Sequence, residues 1–164
     1  MNSKKVITEL RKLSKKNNDI EKMIVYSYIK MAQIEYADSK LLANYFIDAN
    51  LEMCNSAYIL FSKQSMTLSM EDLVELFEHL VPESDKKENG IVYTPLTIRQ
   101  YIVQNSIHGS IVPTFLDPTC GCGAFLVTAA NELHKKYNLP YREIYTQKLF
   151  GVDLDKNAIR KSKL

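Results

Sequence analysis

Between Phe115 and Leu126 the chain reads Phe-Leu-Asp-Pro-Thr-Cys-Gly-Cys-Gly-Ala-Phe-Leu, and its chemistry rests on one carboxylate and two glycines. An apolar run ends at Asp117-Pro118, Gly121 and Gly123 follow one residue apart, and a helical apolar pattern then resumes. That is the order strand, tight loop, helix N-terminus. Lacking Cβ, the two glycines let the backbone bend at unusual φ and approach a ligand closely, while Asp117 offers a carboxylate to a cationic or hydroxyl group. The stretch reads as half of a pocket for a nucleotide-like ligand.

The second half follows in Lys148-Leu-Phe-Gly-Val-Asp-Leu-Asp155, a short apolar run that also ends in acids. In a doubly wound sheet the ligand lies across the carboxyl ends of adjacent strands, where an acid on the second strand bonds ribose hydroxyls. Asp153 is placed for that role. Its distance from Gly123 exceeds the roughly 20 residues of the dinucleotide fingerprint, and Leu126 stands where a third glycine belongs. Both departures count against a nicotinamide or flavin enzyme.

Ahead of the glycine loop stands Asn89-Gly-Ile-Val-Tyr-Thr-Pro-Leu96. Together the three segments resemble the N6-adenine DNA methyltransferases of bacterial restriction-modification systems, in the family's order and over about residues 75 to 160. That family has a Tyr-Thr-Pro segment leading into a helix beside the cofactor. An Asp-Pro-x-Cys-Gly-x-Gly-x-Phe loop cradles its S-adenosylmethionine, and a Gly-x-acid segment binds the ribose. The resemblance implies S-adenosylmethionine as cofactor, with Tyr93, Thr94, Asp117, Pro118, Gly121, Gly123, Phe125 and Asp153 as its binding residues. It implies Asp117 near the methionine end, Asp153 on the ribose, and Tyr93 and Thr94 along the methionine part. Phe125 matches an aromatic position near the pocket. The reaction implied is methyl transfer from a sulfonium to the exocyclic amine of adenine, with DNA as substrate and a specificity or restriction subunit as further partner.

The family's catalytic motif is an Asn or Asp followed by Pro-Pro and an aromatic residue, on a later strand. No Pro-Pro pair occurs in these 164 residues, so no catalytic residue is assigned. The expected fold is an α-helical N-terminal bundle followed by the start of an α/β Rossmann-like, S-adenosylmethionine-dependent methyltransferase fold, truncated after two strands. The expected divisions are a helical domain over 1–81, a linker over 82–90 and a partial cofactor-binding domain over 91–164. A chain of this kind should not methylate DNA by itself. Two other classes stay open: a non-catalytic binding or regulatory module related to these enzymes, and a fragment of an RNA or protein methyltransferase.

Each site residue also has a plainer role open to it. Asp117 before a proline suits a turn or a helix cap. Asp155 competes with Asp153 but is better placed as N-cap of a helix beginning at Lys156. Thr94 is a candidate cap, and Phe125 a candidate core residue.

Composition sets wider bounds. At 46% hydrophobic and 24% charged the chain can bury one core of ordinary size. A net charge of +2 is too small to argue for nucleic acid, and the early cluster Lys4, Lys5, Arg11, Lys12, Lys15, Lys16 reads first as a solvated helix face. No signal-peptide core and no membrane-length apolar run is present, which points to a cytoplasmic protein. Cys54, Cys120 and Cys122 suit a reducing compartment. Cys120 and Cys122 lack the second pair or the nearby histidines that a zinc site needs, since His108 and His134 are not so spaced, and no metal is expected. Cys120 reads as a small residue beneath the loop.

Residues 4 to 80 read as helical throughout. Ile20, Met23, Ile24, Ser27, Met31 and Ile34 mark one buried face. Leu41 to Phe61, apolar on most sides, predicts a central helix of the bundle. Ser69 with Asp72 begins a helix carrying Leu73, Leu76, Phe77 and Leu80, ended by Pro82. Beyond the polar stretch 82–90, Thr94 is expected to cap a helix with Pro95 at N1, bearing Ile98, Tyr101, Ile102 and Asn105 and stopped by Gly109. Pro113 to Asp117 is then the first strand, and Cys122 to Tyr137 the helix behind the glycines. A two-stranded sheet has open edges, through which the chain is expected to pair with a second copy or another protein.

Overall fold

Helical apolar spacing and short capping side chains set the elements of the first half of the chain. The computed structural model describes residues 2–35, 39–63, 67–82, 84, 86 and 92–164. Most of the expected linker, and Asn89-Gly90-Ile91, lie outside the described residues. The chain groups into two compact units, residues 1–87 and residues 88–163. No helix among the described residues is long and apolar enough to cross a membrane.

In the first unit, α1 (Ser3–Leu13) buries Val6, Ile7 and Leu10 on one face and is capped by Asn2, whose side chain accepts the N–H of Lys5. Helix α2 (Asn17–Met31) is the centre of the unit and packs on α4 (Leu51–Lys63) and α5 (Met70–Leu80). Ile20, Met23 and Ile24 are fully buried. The buried hydroxyl of Ser27 is satisfied by donating to the Met23 carbonyl at 2.7 Å. Asn17 ties α2 to the end of α5 by donating to the Leu80 carbonyl at 2.9 Å, which partners one of the carbonyls a helix C-terminus leaves over. Ser69 and Asp72 form a reciprocal capping box at the start of α5, and Leu73, Leu76, Phe77 and Leu80 are buried as expected.

Three expectations for this half need correction. The helices are interrupted at Ser14–Lys16, after Met31, and at Phe46–Asn50. Ile34 is not on the buried face of α2, because the helix ends at Met31, Gln33 adopts φ +52°, and Ile34 is left exposed. Leu41 to Phe61 is not one helix but α3 (Lys40–Tyr45) and α4, with Leu41, Ile47 and Leu51 exposed. The break has a polar cause. Asn50 accepts the N–H of Met53 at 3.1 Å and starts a new helix, while Asp48 turns away to the buried ammonium of Lys22 and Tyr45 donates to Glu21 at 2.8 Å.

In the second unit, Pro95 rather than Thr94 stands at the N-cap of α6 (Leu96–Ser106), without a side-chain cap. The residues it buries are Arg99 and Val103, whereas Ile98, Tyr101, Ile102 and Asn105 at helical spacing are exposed. Gly109, expected as the stop, has φ +68° but lies beyond it, since the helix ends at Ser106 with Ile107 in an extended conformation as C-cap. Strand β1 (Phe115–Asp117) is shorter at its start than expected. It leads through the glycines into α7 (Ala124–Tyr137), which begins two residues later than expected because Gly123 occupies the N-cap. Asn138 ends α7 in the left-handed region at φ +53°.

A helix the sequence reading did not foresee, α8 (Tyr141–Gln147), follows Pro140 and leads to β2 (Leu149–Gly151). The strands pair in parallel, Phe115 with Leu149, Leu116 with Phe150 and Asp117 with Gly151. Alternation across the pleat sends Phe115 and Leu149 toward a core of Val103, Ile107, Ala129, Ala130, Leu133 and Ile144. The intervening pair, Leu116 and Phe150, lies on the other face, 66% and 52% exposed. Helix α9 (Lys156–Ser162) is capped by Asp155, which accepts the N–H of Asn157 at 2.8 Å, as expected. The described architecture is mostly helical, with a small parallel sheet.

Leu133, at 0% exposure, lies where α6, α7 and α8 meet. Leu133→Ala should destabilise the second unit by about 2–5 kcal/mol through lost burial and a residual cavity. Urea denaturation followed by circular dichroism checks this, and an unchanged midpoint would contradict it.

Candidate functional site

The glycine loop is shaped by its own backbone and by β2. Gly121 and Gly123 hold φ of +52° and +92°, a region that costs L-residues with side chains roughly 1–2 kcal/mol. The Gly123 N–H returns to the Cys120 carbonyl at 2.8 Å, closing a turn from which α7 departs. Beyond the end of β1, the Val152 N–H donates to the Asp117 carbonyl and the Cys120 N–H to the Val152 carbonyl, both at 2.9 Å. The loop is therefore stitched to the segment leaving β2.

Asp153 completes the stitching. One carboxylate oxygen accepts the N–H of Gly121 at 2.8 Å and the other the N–H of Asp155 at 2.8 Å. A carboxylate with two backbone donors is held in a single orientation. Asp117 forms an Asx turn, Oδ1 accepting the N–H of Thr119 at 3.0 Å. Both acids remain partly accessible, and Pro118 is exposed between β1 and the glycines.

Beneath them Cys120 is buried at 4% exposure, its sulfur packed over Gly151. A Cβ on Gly151 would come within 2.9 Å of both Cys120 Sγ and Leu126 Cδ1. Gly151 thus belongs to the loop's construction through space rather than through φ, and a glycine inside a strand pattern is the signal that reveals it. Burial first, and then the charges of Asp117 and Asp153, push the Cys120 thiol above its ordinary range. Both carboxylates are thus near enough for their charge to reach the same thiol. Above Gly121 the position of a Cβ is open, with nothing within 4 Å, whereas at Gly123 it would meet Ser162 Cβ at 3.4 Å.

Of the residues singled out in the sequence, Asp117, Gly121, Gly123 and Asp153 come together here. Phe125 packs partly against the cluster of α6, α7 and α8. Tyr93 and Thr94 precede α6, and the Thr94 carbonyl accepts Nη1 of Arg99 at 2.8 Å. Arg99 itself drew no notice in the sequence, since one arginine in a helix looks like a surface residue until its burial is seen. Among the described residues no group of three or more His, Cys, Asp or Glu side chains is placed to hold a metal ion.

A sequence profile of the family described as N-6 DNA Methylase matches residues 69–164, more than half of the chain. The chain belongs to the N-6 DNA methylase family. The match begins at the Ser69 cap of α5, so the family region takes in α5 as well as the glycine loop. Among curated proteins, the Type II methyltransferase M.VspI of Vibrio sp. (strain 343) is 30% identical over 93 residues, covering 57% of this chain and 20% of the relative. The chain therefore spans about a fifth of that relative's length. No solved structure matches it.

Two outcomes test this geometry. Gly151→Ala should force Cys120 or Leu126 to move and destabilise the loop by about 1–3 kcal/mol; a variant as stable as the parent in thermal unfolding would contradict the packing. The raised thiol pKa means that the folded loop favours protonated Cys120. Its contribution to stability is full below the unfolded thiol value of about 8.5 and is lost as pH rises through the higher folded value. Iodoacetamide should accordingly alkylate Cys120 more slowly in the native protein than in urea at pH 8.5, and faster in Asp117→Asn than in the parent. Peptide mass spectrometry reads both, and an Asp117→Asn rate equal to or below the parent's would contradict the charge argument.

Proposed function

We propose that residues 91–164 are the start of a Rossmann-like methyltransferase domain whose glycine loop holds S-adenosylmethionine. On this reading the domain serves a site-specific DNA adenine-N6 methyltransferase of a restriction-modification system. The supporting observation is the anchored acid at the carboxyl ends of two parallel strands, with Asp153 bonded to the Gly121 N–H at 2.8 Å and Asp117 across the loop. Ligands of open α/β sheets lie at that edge. Family membership and the Type II relative support the reaction class.

The residues fit such a cofactor in charge and in space. S-adenosylmethionine supplies an electrophilic methyl on a sulfonium and presents two ribose hydroxyls. Asp117 ends β1 and Asp153 follows β2, so both bring negative charge to the carboxyl edge of the parallel pair. Asp153, already oriented by two N–H groups, accepts ribose hydroxyls with little further ordering. Asp117 keeps the cationic end on the strand side, and Pro118 fixes the chain as it leaves β1. The open position above Gly121 lets the backbone pass directly beneath the ligand. Tyr93 and Thr94 border the methionine part, and the ring of Phe125 backs the pocket from the helix side.

The rest of the reading concerns the whole protein. Residues 1–81 act as a helical domain, joined through 82–90 to the cofactor-binding part, in a cytoplasmic enzyme that meets DNA and a specificity or restriction subunit. The open edges and the apolar outer face at Leu116 and Phe150 are surfaces for further association. Without a Pro-Pro aromatic motif among its 164 residues, this chain binds cofactor but does not transfer the methyl group by itself.

Calorimetry with S-adenosylmethionine tests the proposal. Saturable binding weaker than about 1 μM, or roughly 8 kcal/mol, is expected, and Asp117→Ala should lower the affinity about tenfold, the loss of one charged contact. Absence of saturable binding at millimolar cofactor sinks the cofactor assignment. Transfer of tritium from labelled cofactor to mixed DNA, above background and lost in Asp117→Ala, would overturn the assignment of inactivity.

A further inference from the structure

Arg99 is 5% exposed, and a guanidinium so buried is costly unless its donors are matched. Nη1 donates to the Thr94 carbonyl at 2.8 Å and Nε to Thr128 Oγ1 at 3.3 Å. Thr128 Oγ1 in turn donates to the carbonyl of Ala124 at 3.0 Å. Ala124 is the first residue of α7 and follows Gly123 directly. One side chain thus joins the segment before α6 to Thr128, whose hydroxyl bonds the first residue of the helix that departs from the glycine loop.

Pro95 has no side-chain hydrogen bond to offer as N-cap, and as a proline it cannot donate from its nitrogen. Val92 is 87% exposed and Pro95 is exposed, while Tyr93 and Thr94 between them are half-buried. The planar guanidinium fork turns back five residues to fix the Thr94 carbonyl, with a geometry that the single ammonium of a lysine does not reproduce.

We infer that Arg99 is a positioning residue for the cofactor pocket, holding the backbone of Tyr93 and Thr94 against the first turn of α7 so that this segment closes one side of the glycine loop's site. The inference rests on the reading of that loop as an S-adenosylmethionine site. Arg99 touches no ligand itself and acts through the Thr94 carbonyl and Thr128.

The test uses the full chain with Arg99→Met, which keeps the apolar stem, and Arg99→Lys, which keeps the charge but loses the fork. Leu133→Ala serves as a control that destabilises the same unit from its core. Calorimetry gives the affinity for S-adenosylmethionine at a temperature where circular dichroism shows all variants folded, and backbone amide resonances report on Tyr93, Thr94 and Gly121. Arg99→Met should lose about tenfold in affinity, the worth of one charged hydrogen bond, and shift the Tyr93 and Thr94 resonances. Arg99→Lys should lose nearly as much, and Leu133→Ala should bind as the parent does. Parent-like affinity in Arg99→Met or in Arg99→Lys would overturn the inference, as would an equal loss in folded Leu133→Ala, which would make the effect one of stability alone. A parent chain without saturable binding would instead overturn the cofactor reading, and this inference with it.

Discussion

Backbone groups in a loop that folds under itself must find partners, and here β2 supplies them. The Asp117 carbonyl, the Cys120 N–H and the Gly121 N–H are all satisfied by Val152 and Asp153. The positive φ values of Gly121 and Gly123, the seat of the Cys120 sulfur over Gly151 and the departure of α7 depend on that pairing. Two three-residue strands are a small sheet, yet they bring the loop after one strand and the acid after the other into a single hydrogen-bonded body.

The same economy recurs elsewhere in the second unit. Apolar burial is concentrated where α6, α7 and α8 meet the inner face of the sheet, while polar ties reach outward from that core. Arg99 fastens the entry to α6, Tyr137 shares its single O–H between the carbonyls of Gly109 and Ile111, and Lys136 donates to the carbonyl of Ile107. Each contributes about 1 kcal/mol, but their effect is directional, since each sets where a connecting segment lies. The outer face, with Leu116 and Phe150 side by side, carries a different pattern, apolar and exposed.

In the first unit, burial of polar groups is as informative as burial of apolar ones. Glu21, Lys22 and Ser27 lie on a helix hidden on most sides; Ser27 is satisfied within the helix by the Met23 carbonyl, while Tyr45 and Asp48, the partners of Glu21 and Lys22, lie at the break between α3 and α4. Leaving a charge such as Lys22 unpaired at that depth costs several kcal/mol. The break at Phe46–Asn50 therefore follows from pairing rather than from helix propensity.

The sequence by itself determined the glycine loop, the acid at the end of one strand and the acid after the other, the capping box at Ser69 and Asp72, the Asp155 cap and the family, because each is written in local residue types at short spacing. Local chemistry needs only neighbours along the chain. It could not show that Ile98, Tyr101 and Ile102 face outward while Arg99 and Val103 face in, since helical spacing defines a stripe without saying which stripe meets a partner. Nor could it reveal α8, seven residues with Ile144 alone buried, too short for periodicity to register. Gly151 and Arg99 gained their roles only from tertiary structure, one from the sulfur and the leucine above it and the other from oxygens five and twenty-nine residues away. Distances through space depend on how separate segments close upon each other, and that closure was decided by the fold.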